Sequence, residues 1–131
     1  MFLQSVNTAA MEKALSALWE RNQLIQTNIA NEDTPGYKAK RLSFETALQT
    51  ELEQLDRSKR RTTRREAVER IDGLRPVVYS QLDTITRADG NNVDILAEQI
   101  ELSRLQFQYQ ALTQKVSGYY STLRNAITGG R

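Results

Sequence analysis

The sequence predicts a mainly α-helical chain whose long N- and C-terminal helices pair as a coiled coil. A shorter middle helix and an irregular segment with short strands lie between them. Two observations support this fold class: apolar residues recur at alternating steps of three and four over long stretches at both ends, and the character of the sequence changes between them, to a shorter amphipathic stretch followed by basic and extended pieces. With 131 residues, the chain is long enough for a single domain, 1–131. We expect an N-terminal helix over 8–31, a central segment over 32–93 and a C-terminal helix over 94–128.

The N-terminal helix is predicted from a seam of apolar side chains. Its members are separated by steps of four and three, with Asn22 in one polar slot and Ala14 beside them. This spacing places the side chains on one face of a helix, as a coiled-coil partner requires. The seam consists of Met11, Leu15, Leu18, Ile25 and Ile29.

A sharply specified turn ends this helix. Pro35 sets φ at about −65° for the second position of a tight turn, and Gly36 accepts the positive φ that a type II turn requires at the third. Tyr37 is placed where the chain leaves the turn. A flexible linker does not need this combination, which indicates a defined joint. The residues of this motif are Asn28, Ala30, Asn31, Asp33, Thr34, Pro35, Gly36 and Tyr37.

The central segment begins with a short amphipathic helix. We expect it to run from Ser43 to about Asp56, with Ser43 as its cap. Its apolar residues are Leu42, Phe44, Leu48, Leu52 and Leu55.

Seven basic residues then crowd into 57–70, a composition typical of a solvated, mobile loop. Docking of this basic loop to an acidic protein, a polymer or a nucleic acid stays open. Further on, 76–79 and 83–86 are predicted to be short extended pieces, and 89–92 the turn into the last helix.

The C-terminal helix carries two apolar stripes. It is predicted from Asp94 to Ile127, with Asp94 or Asn92 as its cap and Gly129-Gly130 as its stop, a length of about 50 Å. One stripe can pack on the N-terminal helix, whereas the other has no obvious partner in this chain unless a three-helix bundle buries both. The first stripe is Leu102, Leu105, Tyr109, Leu112, Val116, Tyr119, Leu123 and Ala126, and the second is Leu96, Ile100, Phe107 and Ala111.

The composition excludes several kinds of chemistry. The chain has no cysteine and no histidine, which removes disulfides, thiolate nucleophiles and zinc sites built on those residues. Glu98 and Glu101 lie three residues apart on one helix. Neither metal-ligand spacing nor a further carboxylate supports a site there, so we assign them to a solvated helix face. We therefore expect no catalytic, cofactor-binding or metal-binding residues. The first residues, Met1 to Ser5, lack the features of a secretory signal peptide, and no run of about 18 apolar residues could span a membrane.

Two blocks of sequence carry a family resemblance. Asn28-Ile29-Ala30-Asn31, continued through Asp33-Thr34-Pro35-Gly36-Tyr37, resembles the N-terminal signature of the bacterial flagellar rod and hook family of axial proteins. Asp89-Gly90-Asn91-Asn92-Val93-Asp94, with Glu98 one turn on and then Tyr109-Gln110-Ala111-Leu112, resembles the C-terminal segment of the same family.

This resemblance implies a structural subunit of the proximal rod of the flagellar basal body. Many copies would stack into a hollow shaft that transmits torque and forms part of the export channel, without enzymatic activity or a cofactor. The implied location is the periplasmic rod, reached through the flagellar type III apparatus without a cleaved signal peptide. The implied partners are further copies, other rod proteins, the rod-to-ring adaptor, the membrane ring and the export gate, in homo- and hetero-oligomeric assembly, and not nucleic acid.

Three other functions stay open from the residues alone. A cytoplasmic helical adaptor or chaperone would share the amphipathic ends but does not need the turn. A small basic nucleic-acid-binding protein would use the basic loop, although the net charge is only +2. A carboxylate-based hydrolase would need a pair of acidic residues in a cleft.

Overall fold

The computed structural model describes residues 5–129. Long terminal helices dominate it, and a two-stranded antiparallel sheet lies in the middle, which confirms the predicted fold class. That the chain forms a single domain stays a prediction. The elements within this range are α1 (Val6–Ala30), β1 (Lys40–Ser43), α2 (Glu45–Arg57), α3 (Arg64–Asp72), β2 (Val77–Ser80) and α4 (Ile95–Ile127).

Side-chain caps fix the starts of both long helices. The Ser5 Oγ accepts a hydrogen bond from the Thr8 N–H at 3.1 Å, so α1 begins at Val6. The Asp94 Oδ1 accepts from the Ala97 N–H at 3.1 Å, which confirms Asp94 as the cap of α4. Each cap satisfies a backbone N–H that has no partner within its helix. Gly129, with φ of +71°, follows the end of α4, whereas Met1 to Gln4 and Gly130 lie outside the described residues.

Helix α1 is covered on two sides. Toward α4, Leu18 and Ile25 are buried with Leu105. On another side, Ala9 and Ala10 pack into a core formed with α2 and α3. Small side chains let helix axes approach closely, so a run of alanines marks a second contact face. The seam predicted for this helix contains neither alanine.

The basic segment contains a helix, which corrects the expected loop. In α3, Ala67 and Ile71 are buried against α1, and the Thr63 Oγ1 caps the helix by accepting from the Glu66 N–H at 3.2 Å. Thr63 and Glu66 have the spacing of a capping box, and Ala67 and Ile71 lie four apart on one face. These local signals were present in the sequence among the surrounding arginines.

Three further boundaries differ from the expectation. Ser43 ends β1 and does not cap α2, which begins at Glu45 without a side-chain cap at Phe44. The piece predicted over 76–79 corresponds to β2, which pairs with β1 in antiparallel register. Residues 83–86 form no strand. Within residues 5–129, we find no helix with the length and apolar character needed to cross a membrane.

Candidate functional site

The predicted turn adopts the expected backbone conformation. The Tyr37 N–H donates to the Thr34 carbonyl at 3.2 Å, which closes a four-residue turn with Pro35 and Gly36 at its centre. Gly36 has φ of +72°, which confirms the positive φ predicted for it. A side chain at this position would be strained even though the surrounding space is open. We call residues 31–37 the Pro-Gly turn.

A second loop, residues 87–93, docks on the Pro-Gly turn, and we call it the Asn loop. The Gly36 N–H donates to the Asp89 carbonyl at 2.8 Å. Asn91 is fully buried and donates from Nδ2 to the carbonyls of Asn31 at 2.8 Å and Thr34 at 2.9 Å. Its Oδ1 accepts from the Val93 N–H at 2.8 Å. The two sequence blocks that carry the family resemblance therefore contact each other directly.

Two glycines allow this close contact. Gly90 has φ of +82°, and a Cβ atom built there would lie 3.3 Å from the Gly36 Cα. Contacts this short are tighter than most that real Cβ atoms make, so a side chain at Gly90 would push the two loops apart. Lys38 also donates from Nζ to the Gly90 carbonyl.

Asn92 ties the Asn loop to the sheet. Its Oδ1 accepts from the Ala39 N–H at 2.6 Å, immediately before β1. Its Nδ2 donates to the Gln81 carbonyl at 2.5 Å and to the Thr84 Oγ1 at 2.8 Å, just after β2. The adjacent side chains of Asn91 and Asn92 thus hold different parts of the chain, the turn and the sheet.

Asn28 is the centre of a buried polar network at the end of α1. Its Nδ2 donates to the Lys40 carbonyl at 2.9 Å and to the Glu98 Oε2 at 3.2 Å. Its Oδ1 accepts from the Tyr37 hydroxyl at 3.0 Å and from the Lys40 N–H at 2.9 Å. An amide can donate twice and accept twice, so the hydrogen-bonding capacity of Asn28 is filled. One side chain thereby joins α1, β1 and α4.

Glu98 forms an ion pair in the same network. Its side chain is fully buried, with Arg41 Nη2 at 2.6 Å from Oε1 and Nη1 at 3.0 Å from Oε2. Nη1 hydrogen-bonds to Oε2, whereas the contact at Oε1 is an ion pair without hydrogen-bond geometry, so the guanidinium offsets only part of the cost of burying the carboxylate. The hydrogen bond to Glu98 raises the pKa of Arg41, so the guanidinium stays charged. Burial, followed by the charge of Glu98, raises the pKa of Tyr37, whose hydroxyl stays protonated and can donate to Asn28.

The burial of Glu98 corrects its assignment to a solvated helix face. A signal was present in the sequence, because Glu98 lies four residues before Leu102 and seven before Leu105 and therefore continues the first stripe of α4. Arg41, its partner, was not recognised. No local pattern links Arg41 to a residue 57 positions away.

The structure brings only part of the predicted packing residues together. Leu18, Ile25 and Leu105 are buried between α1 and α4, with Ile29, Leu102 and Leu112 packed against them. Met11, Leu15, Val116, Tyr119 and Leu123 are half-buried, and Tyr109 is exposed. In the second stripe Leu96, Ile100 and Phe107 are 67 %, 53 % and 74 % exposed. In the Pro-Gly motif Ala30, Asp33, Thr34, Pro35 and Gly36 are also exposed. The role of these residues in subunit packing stays a prediction.

The polar network is suited to holding chain segments together. Its amide, carboxylate and guanidinium groups bond to one another and to backbone groups. Within residues 5–129, no group of three acidic side chains is placed to hold a metal ion. The arrangement fixes the direction in which the chain leaves α1 and the position of α4 beside it. We call the Pro-Gly turn, the Asn loop and the network of Asn28, Arg41 and Glu98 the joint.

Comparison with known proteins identifies relatives over the whole chain. No protein-family model matches. The chain is 37 % identical over 131 residues, all of both chains, to flagellar basal body rod protein FlgB of Bacillus subtilis (strain 168). It is 30 % identical over 116 residues, 88 % of each chain, to FlgB of Aeromonas hydrophila. It is 23 % identical over 125 residues, 91 % of each chain, to FlgB of Escherichia coli (strain K12). These similarities confirm the expected resemblance, and the chain belongs to the FlgB family of flagellar basal body rod proteins.

Proposed function

We propose that this chain is a structural subunit of the proximal rod, with no reaction of its own. Copies would polymerise with other rod proteins into the hollow shaft that transmits torque and forms part of the export channel. The proposed location is the periplasmic part of the basal body, reached by type III export without a cleaved signal peptide. The rod-to-ring adaptor, the membrane ring and the export gate are the proposed neighbours at its base.

The observation that carries this proposal is the exposed apolar stripe of α4. Leu96, Ile100 and Phe107 lie four and seven residues apart, on a face turned away from the buried Leu105. Burying one such side chain completely contributes about 1.5–3 kcal/mol. Contact with neighbouring subunits along the stripe would therefore offset much of the entropy lost on assembly.

The joint supports the same proposal. A subunit in a shaft that carries torque must hold its two long helices in one arrangement, and the buried network ties α1, β1 and α4 together. Because Asn28 contacts both Lys40 and Glu98, a displacement of α4 along α1 would break hydrogen bonds inside the protein. The network therefore holds the exposed stripe of α4 in one position relative to α1.

The experiment replaces Phe107 with Asp in the bacterium that makes this chain. A carboxylate is costly to bury in an apolar contact, so Phe107→Asp should abolish swimming in soft agar. Electron microscopy of isolated basal bodies should then show rings without a complete rod. The matched control is Gln108→Asp, which introduces the same charge at an exposed neighbouring position and should leave motility intact.

Circular dichroism of the purified variants separates assembly from folding. Phe107 is largely exposed, so Phe107→Asp should retain the helicity of the unmodified chain. Normal motility and complete rods with Phe107→Asp would refute the assignment of the stripe to subunit contacts. Equal loss of motility with Gln108→Asp would show that charge on α4, not loss of the apolar contact, is responsible.

A further inference from the structure

Over residues 5–129, strand β2 pairs with β1 along one edge and has no strand along the other. The Asn28 side chain hydrogen-bonds to both the backbone N–H and the C=O of Lys40, on the side of β1 that faces away from β2. Lys40 and Ser80 are therefore a pair without mutual backbone hydrogen bonds in the antiparallel register. The alternation of the ladder then makes the backbone groups of Tyr79 face β1, and those of Val78 and Ser80 face outward.

The two outer edges of the sheet differ in whether their backbone groups are hydrogen-bonded. Side chains of α1 close the edge of β1, since Asn28 bonds to Lys40 and the Arg21 Nη2 donates to the Leu42 carbonyl at 3.0 Å. Among the residues that the structure describes, no strand pairs with the outer edge of β2. Unpaired backbone groups on an edge are a template for another strand.

The side chains of β2 do not protect this edge. Val77, Val78 and Tyr79 are 61 %, 50 % and 50 % exposed, and β2 contains no charged residue. Edge strands of stable monomers commonly carry charges, such as lysine, that discourage pairing. The edge therefore combines free backbone groups with exposed apolar surface.

We propose that two copies of this chain pair through their β2 edges around a two-fold axis and form a four-stranded antiparallel sheet. Val78 of each copy would lie opposite Ser80 of the other and exchange both backbone hydrogen bonds with it. The two Tyr79 residues would face each other across the axis, in a pair without backbone hydrogen bonds. The pattern of outward groups at 78 and 80 is symmetric about 79, as an isologous contact requires.

The neighbouring registers are less favourable. Shifting the pairing by two residues in one direction places Ser80 opposite Pro76, which has no N–H to donate. Shifting it in the other direction requires Leu82, which lies outside β2. The register centred on Tyr79 uses only residues that are already extended.

Charge also favours this register and a second copy as the partner. Pro76 and Leu82 end the backbone pairing on either side of the strand. Just beyond them, the same register brings Arg75 of each copy near Asp83 of the other, so the ends of the interface carry two pairs of opposite charge. Both residues are exposed, and residues 77–81 between them are uncharged. Opposite charges in facing positions stabilise an antiparallel pair, and like charges destabilise it.

This contact is separate from the proposed rod contacts. An isologous interface closes after two copies, whereas a helical shaft requires a contact that repeats from one subunit to the next. The proposed dimer therefore describes subunits outside the shaft and does not involve the stripe of α4. Failure of one proposal leaves the other intact.

Single-cysteine variants of the full chain test the register, because the natural sequence has no cysteine. In the proposed dimer the Cβ atoms at position 79 lie about 4.5–5.5 Å apart, so Tyr79→Cys should form a disulfide-linked dimer under mild oxidation. The control Val77→Cys is exposed on the same strand, but its two copies would be offset by about 13 Å along the strands. We expect cross-linking of Tyr79→Cys to be faster by about tenfold or more. Equal rates, or a Tyr79→Cys variant that does not cross-link, would overturn the proposal.

Charge reversal provides a second measurement that leaves β2 unchanged. Arg75→Asp and Asp83→Arg should each raise the dimer dissociation constant about tenfold in sedimentation equilibrium, because each places like charges together twice. The double variant, Arg75→Asp with Asp83→Arg, should restore the dissociation constant of the unmodified chain. A double variant as weak as the single ones would overturn the register, and a chain that stays monomeric at all concentrations would overturn the dimer.

Discussion

Replacing Asn28 with Ala tests whether the joint stabilises the fold. Asn28 is fully buried and makes four hydrogen bonds, two of them to the backbone of Lys40. Alanine removes all four but keeps the helix, because Ala has the highest helix propensity. The Tyr37 hydroxyl is half-buried and can turn toward water, and Glu98 keeps its ion pair with Arg41. The main loss is therefore at the N–H and C=O of Lys40.

The expected magnitude follows from those two groups. A buried polar group left without a partner costs about 1–3 kcal/mol, and because both hydrogen bonds to Lys40 are only part-buried, two such groups at the lower limit predict a loss of about 2 kcal/mol. Unfolding free energies of domains are about 5–15 kcal/mol, so this is a large fraction of the total. With a urea slope of about 2 kcal/mol per molar, the unfolding midpoint should fall by about 1 M.

The assay is urea unfolding followed by circular dichroism, with Asn22→Ala as the matched control. Asn22 lies on the same helix, but its side chain is only half-buried and accepts one long hydrogen bond, at 3.4 Å, from Gln26. Asn22→Ala should change the unfolding free energy by no more than about 0.5 kcal/mol. Coinciding midpoints for the two variants would refute the view that the network around Asn28 holds the long helices together.

Two further predictions concern backbone conformation and pH. Gly36→Ala should lower the unfolding free energy by about 1–2 kcal/mol because of its positive φ, and Gly90→Ala by more because its Cβ also meets the other loop. Gly118→Ala, inside α4 with open space around it, should raise the unfolding free energy by about 0.5–1 kcal/mol. Urea midpoints check all three variants, and they should rise in the order Gly90→Ala, Gly36→Ala, unmodified chain, Gly118→Ala. The hydrogen bond from Arg21 lowers the pKa of Glu45 from 4.5 to about 2, so this contact stabilises the fold fully above about pH 4.5 and is lost as the pH falls toward 2. Glu45→Gln should flatten the pH dependence of the midpoint in that window, by less than about 1 kcal/mol because the carboxylate is 65 % exposed; an unchanged pH profile would contradict this.

Periodicity was sufficient to predict the long helices and their pairing. Steps of three and four identify a helix and its buried face from neighbouring residues alone. Local turn chemistry was likewise sufficient for Gly36. The contacts between the Pro-Gly turn and the Asn loop could not be predicted from the residues in this way, because they join positions 57 and 60 residues apart.

Composition was misleading about burial at two places, the basic segment and Glu98. The many arginines of the basic segment indicated a solvated loop, yet Ala67 and Ile71 provide enough apolar surface to fix α3 against α1. Glu98 was assigned to a solvated helix face because no second carboxylate partner supported a site there, whereas its actual partner, Arg41, lies in a distant strand. Predicting the joint required knowing which two segments meet.

The contacts of Asn91 have a consequence for the order in which the protein folds. Asn91 binds the carbonyls of Asn31 and Thr34, so the Pro-Gly turn cannot be secured until most of the chain has been synthesised. A nascent chain that ends before the Asn loop can form α1 but has nothing to fix the direction of the segment that follows it. Closing so long a loop costs entropy, which the contacts of Asn91 and the later contact of Glu98 in α4 with Asn28 must offset. The joint therefore restricts a stable arrangement of the long helices to nearly complete subunits.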